Sequence, residues 1–325
     1  MDAKEFTRFP SIEGFAKSVK NAGFSLQPRV ETIGLKIKLH GTNGWIRVKD
    51  GCVVAQSRNR DLPTDDPSTD NAGFGAWVAA NADFFRAAQF GPEFIIFGEW
   101  AGAGVQDTDA VNMLPEKHLF IFAVRTPHGY HVEPGAIKGG LPGDHPNVHV
   151  LPWHTKRDVD MTDGNELQQL ADEISDMTDA CGVEDPYIAM KFGVSGPGEG
   201  FVGYFCNGGP PTNQQFEERI FKAKTEAHRG RKDKRAATVN FKPSEANALV
   251  LAYATEPRFK QGLNEALNGE LSRARTKDFI AWVCRDVAKE AADELAASGM
   301  EAKDITGSVA KAAAQWYLDR CKELA

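Results

Sequence analysis

Apolar and polar residues alternate through Leu35-Lys36-Ile37-Lys38-Leu39, the period of a strand with one buried face. Downstream, Trp45-Ile46-Arg47-Val48 and Cys52-Val53-Val54-Ala55 bracket Lys49-Asp50-Gly51 and predict a hairpin turned at Asp-Gly. Further strands are expected at 94–97, 119–124, 187–194, 201–205 and 220–223. Gly/Pro-rich connections separate them, among them 139–143 and 196–198. Helical spacing marks 74–90 (Phe74, Trp77, Val78, Phe84, Phe85, Ala88) and 166–177 (Leu167, Leu170, Ile174, Met177). From Pro243 onward the pattern is almost wholly helical, with the longest stretches at 276–297 and 305–324. The expected architecture is α+β: a domain of antiparallel sheets flanked by helices over residues 1–235, then a smaller all-α domain over 236–325.

Composition narrows this only a little. A chain of 325 residues can bury a full core and divide in two. Its net charge of -7 excludes global basicity as a sign of nucleic-acid binding, so any such partner must be held by a local patch. One such run is His228-Arg229-Gly230-Arg231-Lys232-Asp233-Lys234-Arg235, at the expected domain junction. Five scattered cysteines without Cys-x-x-Cys spacing read as free thiols of a reducing compartment. The N-terminal stretch is charged and no apolar run approaches a membrane span. A monomeric cytoplasmic enzyme without membrane contact is the expectation, in the host cytoplasm if phage-encoded.

The chemistry-bearing residues cluster around strand ends. Lys38 precedes the polar turn His40-Gly41-Thr42-Asn43. Burial and nearby cations lower a lysine's pKa and free a neutral amine for nucleophilic attack. A surface lysine before a turn is the plain alternative, and Lys36, on the same strand face, is a competitor for the role. Glu99 and Glu199 each sit where a strand meets a glycine and offer oxygen ligands that suit Mg²⁺ or a ribose hydroxyl. Lys222 and Lys224 alternate and share one strand face, where two cations can bind a phosphate and stabilise developing charge. No Gly-x-x-x-x-Gly-Lys-Ser/Thr loop exists, so a P-loop is excluded. Gly198 to Gly203 fits Gly-x-Gly-x-x-Gly, but a strand-like run follows rather than a helix. His145 and His149 are four apart across Pro146, which argues for a loop rather than a metal-binding helix face.

Taken in order, these pieces resemble the covalent nucleotidyltransferases, and within them the RNA ligase 2 family of ATP-dependent polynucleotide ligases. Lys38-Leu39-His40-Gly41-Thr42-Asn43 resembles the nucleophile motif, with His40 where DNA ligases and capping enzymes usually carry Asp. Ser57-Arg58, Phe97 to Gln106, Leu119-Phe120-Ile121-Phe122, Glu199-Gly200-Phe201-Val202 and Lys222-Ala223-Lys224 resemble the later motifs. The resemblance implies an ATP-grasp-like nucleotidyltransferase fold. It also implies catalytic roles for Lys38, His40, Glu199, Lys222 and Lys224. Nucleotide contacts are implied from Ile37, Asn43, Arg58 (or Arg60), Glu99 and an adenine-stacking Phe122, and metal contacts from Glu99 and Glu199. ATP and Mg²⁺ (or Mn²⁺) are the implied substrate and cofactor. Nicked duplex RNA or an RNA–DNA hybrid is the implied partner, gripped by the helical C-terminal domain. Two departures stand out: Ala123 occupies a position where the family carries an acidic residue, and the run after Lys224 is unusually basic. A DNA ligase, a capping enzyme and a non-catalytic nucleic-acid-binding relative are the rival readings. His40 and the helical C-terminal part oppose the first two. The complete set of Lys38, Glu99, Glu199, Lys222 and Lys224 opposes the last.

Overall fold

The computed structural model describes residues 8–10, 12–22, 30–62, 70–207, 213–229, 249–250 and 252–323. The expected boundary at 235/236 and the basic residues 230–235 lie outside them. The chain divides into two compact units. One comprises Met1–Ser18, Thr32–Asp158 and Ala171–Thr238, the other Val19–Glu31, Val159–Leu170 and Val239–Ala325.

The first unit is built on two sheets. Strands β1 (Glu13–Gly14), β2 (Val30–Lys38), β3 (Thr42–Lys49), β4 (Cys52–Gln56), β5 (Glu93–Ala101) and β6 (His118–Thr126) are followed by β7 (Gly129–His131), β8 (Val148–Val150), β9 (Thr155–Asp160), β10 (Gly200–Phe205) and β11 (Ile220–Lys224). One sheet runs β1-β11-β10-β2-β9. The other runs β4-β3-β5-β6-β7, with β8 beside β6. The β10–β11, β10–β2, β3–β4, β3–β5, β5–β6 and β6–β7 ladders are antiparallel, and β1 on β11 and β8 on β6 are parallel. The β3–β4 hairpin turns at Asp50 (φ 49°) and Gly51 (φ 78°), the left-handed pair that a two-residue turn matched to strand twist requires.

Period-2 patterning sets the layers. Val202 and Tyr204 of β10 pack with Trp45, Ile95, Phe97, Ala123 and Tyr130 of the second sheet, forming a core between the sheets. The far face of the second sheet buries Ile46, Val48, Ile96, Ile121 and Val124 against Phe74, Val78 and Phe85 of helices Phe74–Ala80 and Ala82–Arg86. The expected single helix over 74–90 is thus two helices meeting at Asn81. Glycines 139 and 140 close the helix Pro134–Gly140 rather than opening a loop.

One expected strand is a helix. Residues 187–194 lie in Pro186–Phe192 and its end. Asp185 caps it, its Oδ1 accepting from the N–H groups of Tyr187 and Ile188 at 2.9 Å each. Pro186 takes the first helical position, and Gly193 (φ 68°) terminates the helix in the left-handed region. Caps at both ends override the strand propensity of Tyr187, Ile188 and Val194.

The second unit is mainly helical: Glu256–Leu267, Thr276–Glu290, Ala292–Ala297 and Ala302–Glu323. Phe259, Phe279, Trp316 and Tyr317 form its aromatic centre, with Phe279 and Tyr317 stacked at 4.6 Å between centroids. The Tyr317 hydroxyl donates to Ser272 O and accepts from Ser272 N, both at 3.0 Å. No helix among the described residues is long and apolar enough to cross a membrane.

Candidate active site

Cross-strand register gathers the candidate lysines. Gly200 of β10 stands between Lys38 of β2 and Lys224 of β11, and Val202 stands between Lys36 and Lys222. Side chains two apart share a face, so all four lysines project from the face that carries Val202 and Tyr204 toward the second sheet. Gly200 makes this close approach possible. Its φ is 133°, and a Cβ there would lie 2.2 Å from Ala223 O.

Glu199 binds two of these cations from the neighbouring loop. Lys38 Nζ donates to its Oε2 at 2.6 Å, and Lys224 Nζ lies 2.9 Å from its Oε1. Its side chain is only 5% exposed, against 21% for each lysine. Burial alone would raise the Glu199 carboxyl, but Lys38 and then Lys224 hold it below the ordinary carboxylate value. Lys222 lies one step farther along the same face.

The turn after β2 is pinned from three sides. Gly41 N donates to Glu99 Oε1 at 3.0 Å, Gln106 Nε2 donates to Gly41 O at 3.3 Å, and Asn112 Nδ2 donates to His40 O at 3.1 Å. Only glycine fits at 41, because a Cβ would lie 2.4 Å from Trp100 O. His40 Nδ1 comes within 3.8 Å of Glu199 Oε2. Asn43 faces Glu99 directly across the β3–β5 ladder, and its carbonyl accepts from Asn71 Nδ2 at 2.9 Å. Glu99 is half-buried as a residue, yet desolvation of its carboxylate pushes it up to about 7. Glu199 adds to this, while Lys38, the Gly41 N–H and Lys224 oppose it.

Lys36 differs in kind from Lys38. It is 0% exposed, and its Nζ donates to Phe122 O at 2.9 Å and to Val132 O. The same ammonium lies 4.7 Å from the Trp153 ring centroid. Burial lowers its pKa to about 7; its side chain is enclosed, whereas that of Lys38 keeps access to solvent. Phe122, half-buried, is the extra residue of a bulge: Phe97 pairs with Ala123 and Gly98 with Ile121, leaving Phe122 unopposed. Lys36 therefore anchors the main chain of the residue that the bulge re-aims.

The other expected residues stand apart. Ile37, 4% exposed, turns its side chain to the opposite face, so any ligand contact it makes is through its main chain. Arg58 is exposed on a turn closed by Ser57 N–H to Arg60 O at 2.9 Å, and Arg60 is exposed beside it. Two residues went unrecognised in the sequence. Asp109, 2% exposed, meets His228 Nε2 at 3.2 Å, and the His228 ring lies 4.9 Å from that of His40. His228 reads in sequence as the first member of a basic run. Asp109, in Asp107-Thr108-Asp109, carries no sequence signal.

A family model described as RNA ligase matches residues 32–224, more than half of the chain. No curated protein matches the sequence. Among solved structures, Naegleria gruberi RNA ligase with PPi is 17% identical at a TM-score of 0.43, covering 69% of this chain and 57% of that one. A mutant of the same enzyme with AMP and Mn is 16% identical at a TM-score of 0.43, with 69% and 57% covered. A mutant with ATP and Mn reaches 17% and 0.44, with 69% and 58% covered. This chain therefore spans less than two thirds of the length of those neighbours.

Proposed function

The chain belongs to the RNA ligase family, and from that premise we propose that it is an ATP-dependent RNA ligase working through a lysyl-AMP intermediate. The observation that supports this most is the buried Glu199 carboxylate shared by Lys38 and Lys224, which converge from β2 and β11. Lys38 Nζ attacks the α-phosphorus of ATP, the α–β bridging P–O bond breaks, and pyrophosphate leaves. Glu199 Oε2, 2.6 Å away, is the nearest described acceptor for the departing proton. Lys224 and Lys222 stabilise the charge that develops on the phosphate. Phe122 stacks on adenine. His40 and Asn43 shape the pocket rim.

The residues fit a hard divalent cation. Glu99 and Glu199 supply carboxylate oxygens, and Glu99 Oε1 already turns toward the Gly41 N–H at 3.0 Å beside the Lys38–Glu199–Lys224 cluster. Glu99 and Glu199 would hold Mg²⁺ (or Mn²⁺), which when bound neutralises the phosphates. AMP then passes to a 5′-phosphate, and a 3′-hydroxyl attacks the activated end and releases AMP. Nicks in duplex RNA or RNA–DNA hybrids are the proposed substrates. The residues after 236 form a helical nucleic-acid-binding domain in this reading, and the basic run 228–235 contacts phosphates.

Incubation with α-labelled ATP and Mg²⁺ tests the reading. An acid-labile, alkali-stable adduct should form on Lys38, disappear in Lys38→Ala and persist in Lys36→Met. The adduct-bearing protein should then seal nicked duplexes that contain RNA. An adduct that survives Lys38→Ala or maps to Lys36 overturns it.

A further inference from the structure

His40, Asp109 and His228 each offer one ligand atom, and these atoms lie within 4.8 Å of one another. We propose that this triad is a binding site for a divalent ion of the zinc class, separate from the Mg²⁺ that attends ATP.

Four observations on the first unit carry it. The donor set is two imidazoles and a carboxylate, which suits Zn²⁺ and its neighbours, whereas Mg²⁺ takes oxygen donors. The spacing is near what coordination needs. Donors of a tetrahedral ion with bonds of about 2.05 Å stand about 3.3 Å apart, and His228 Nε2 already lies 3.2 Å from Asp109 Oδ1. Small rotations of His40 would complete the set.

The third observation is unmet demand at Asp109. Its Oδ1 takes His228 Nε2 and the Thr108 hydroxyl at 3.1 Å. Its buried Oδ2 has no hydrogen-bond partner among the described residues, although the residue is 2% exposed. An unpaired buried carboxylate oxygen is costly. A doubly charged ion would give that oxygen a partner. A second carboxylate, Asp185, is also buried at 1% exposure and caps the helix Pro186–Phe192.

The fourth is the support behind His228. Its Nδ1 is 2.9 Å from Thr225 Oγ1, an outer contact that orients the ring with Nε2 toward Asp109 and can accept the Nδ1 proton when Nε2 binds an ion. The ion would tie together three segments that are separate in sequence: the turn after β2, the segment before the short helix Ala110–Met113, and the residues just past β11.

The test uses the full chain, stripped with a chelator, with no nucleotide or RNA present, so its outcome is independent of the proposed ligase reaction. Co²⁺, a visible-absorbing stand-in for Zn²⁺, is titrated by absorption and by calorimetry, and Zn²⁺ is then used to displace it. One equivalent should bind and resist millimolar Mg²⁺. Asp109→Asn and His228→Gln should each weaken binding by about 100-fold, and Thr225→Val, which removes no ligand, by about 10-fold. His145→Gln should leave affinity unchanged. Melting curves without metal establish that each variant is folded, and Thr225→Val keeps the test decisive if a ligand variant is not. Absence of stoichiometric binding, ready displacement by Mg²⁺, or equal affinity in the folded variants overturns the proposal.

Discussion

Replacing Glu199 by Gln keeps the shape of the side chain and removes its charge. In the native protein the carboxylate receives Lys38 at 2.6 Å and Lys224 at 2.9 Å. Charge-assisted hydrogen bonds of this kind contribute about 1.5–3 kcal/mol each. The two lysines are a fifth exposed, so water recovers part of that when the charge is removed, and a net loss of about 3 kcal/mol is expected. At about 2–4 °C per kcal/mol, the melting transition of the nucleotidyltransferase unit should fall by about 6–12 °C at pH 7. The pH dependence has a definite sign. The native pKa of Glu199 is depressed, so its contribution is present above the unfolded value near 4.3 and is lost as pH falls through the lower native value. The gap between wild type and Glu199→Gln should therefore be full at neutral pH and close below about pH 4. In the proposed mechanism the same substitution leaves Lys38 without its proton acceptor and its anchor, so self-adenylylation should slow by about 100-fold or more. Differential scanning fluorimetry across pH and single-turnover labelling with α-labelled ATP read the two effects. A variant that melts within about 1 °C of wild type and labels within about threefold would refute the reasoning on both counts.

Gly200→Ala should lower both stability and labelling. Its Cβ would strike Ala223 O at 2.2 Å, and strain at φ 133° adds about 1–3 kcal/mol, while β11 moves and carries Lys224 from Glu199. Glu99→Gln should gain stability relative to wild type as pH rises from about 4.3 to about 7, because a carboxyl held at about 7 in the native state loses stability through that window. Melting curves at closely spaced pH values check this, and parallel profiles would contradict it. Changing Arg231, Lys232, Lys234 and Arg235 to Gln should leave lysyl-AMP formation unchanged. It should reduce the salt dependence of binding to nicked duplex RNA by about one unit of log–log slope for each phosphate that the run no longer neutralises, and an unchanged slope would remove the run from the interface.

Much of the fold was legible where period and punctuation agreed. The β3–β4 hairpin, the strand ending at Lys38 and the helical C-terminal stretches follow from alternation, Asp-Gly turn chemistry and 3.6-residue spacing. The helix at 186–192 was misread because apolar, β-favouring residues outweighed the caps. Asp185, Pro186 and Gly193 were the better evidence. Within the site, Lys38, Glu199 and Lys224 were legible as types at strand ends, but not the way Glu199 divides its two oxygens between lysines. That depends on the register of three strands far apart in sequence. Lys36 looked like a competitor for Lys38 because strand period places both on one face; only the depth of the inter-sheet core separates an enclosed lysine from an accessible one. Asp109 and His228 were invisible because nothing in their neighbourhoods marks a pairing across 119 residues of chain.

The bulge at Phe122 sets regularity of the sheet against chemistry. Deleting that one residue would bring Phe97–Ala123 and Gly98–Ile121 into an unbroken ladder without reversing which face any other β6 residue occupies. The shortened protein should fold, with a smoother β5–β6 ribbon, and would lack both the aromatic ring proposed to stack on adenine and the carbonyl that Lys36 holds. An inserted aromatic of this kind is how a plain two-layer scaffold can gain a nucleotide pocket in a single step, and how a descendant can lose it while keeping its shape.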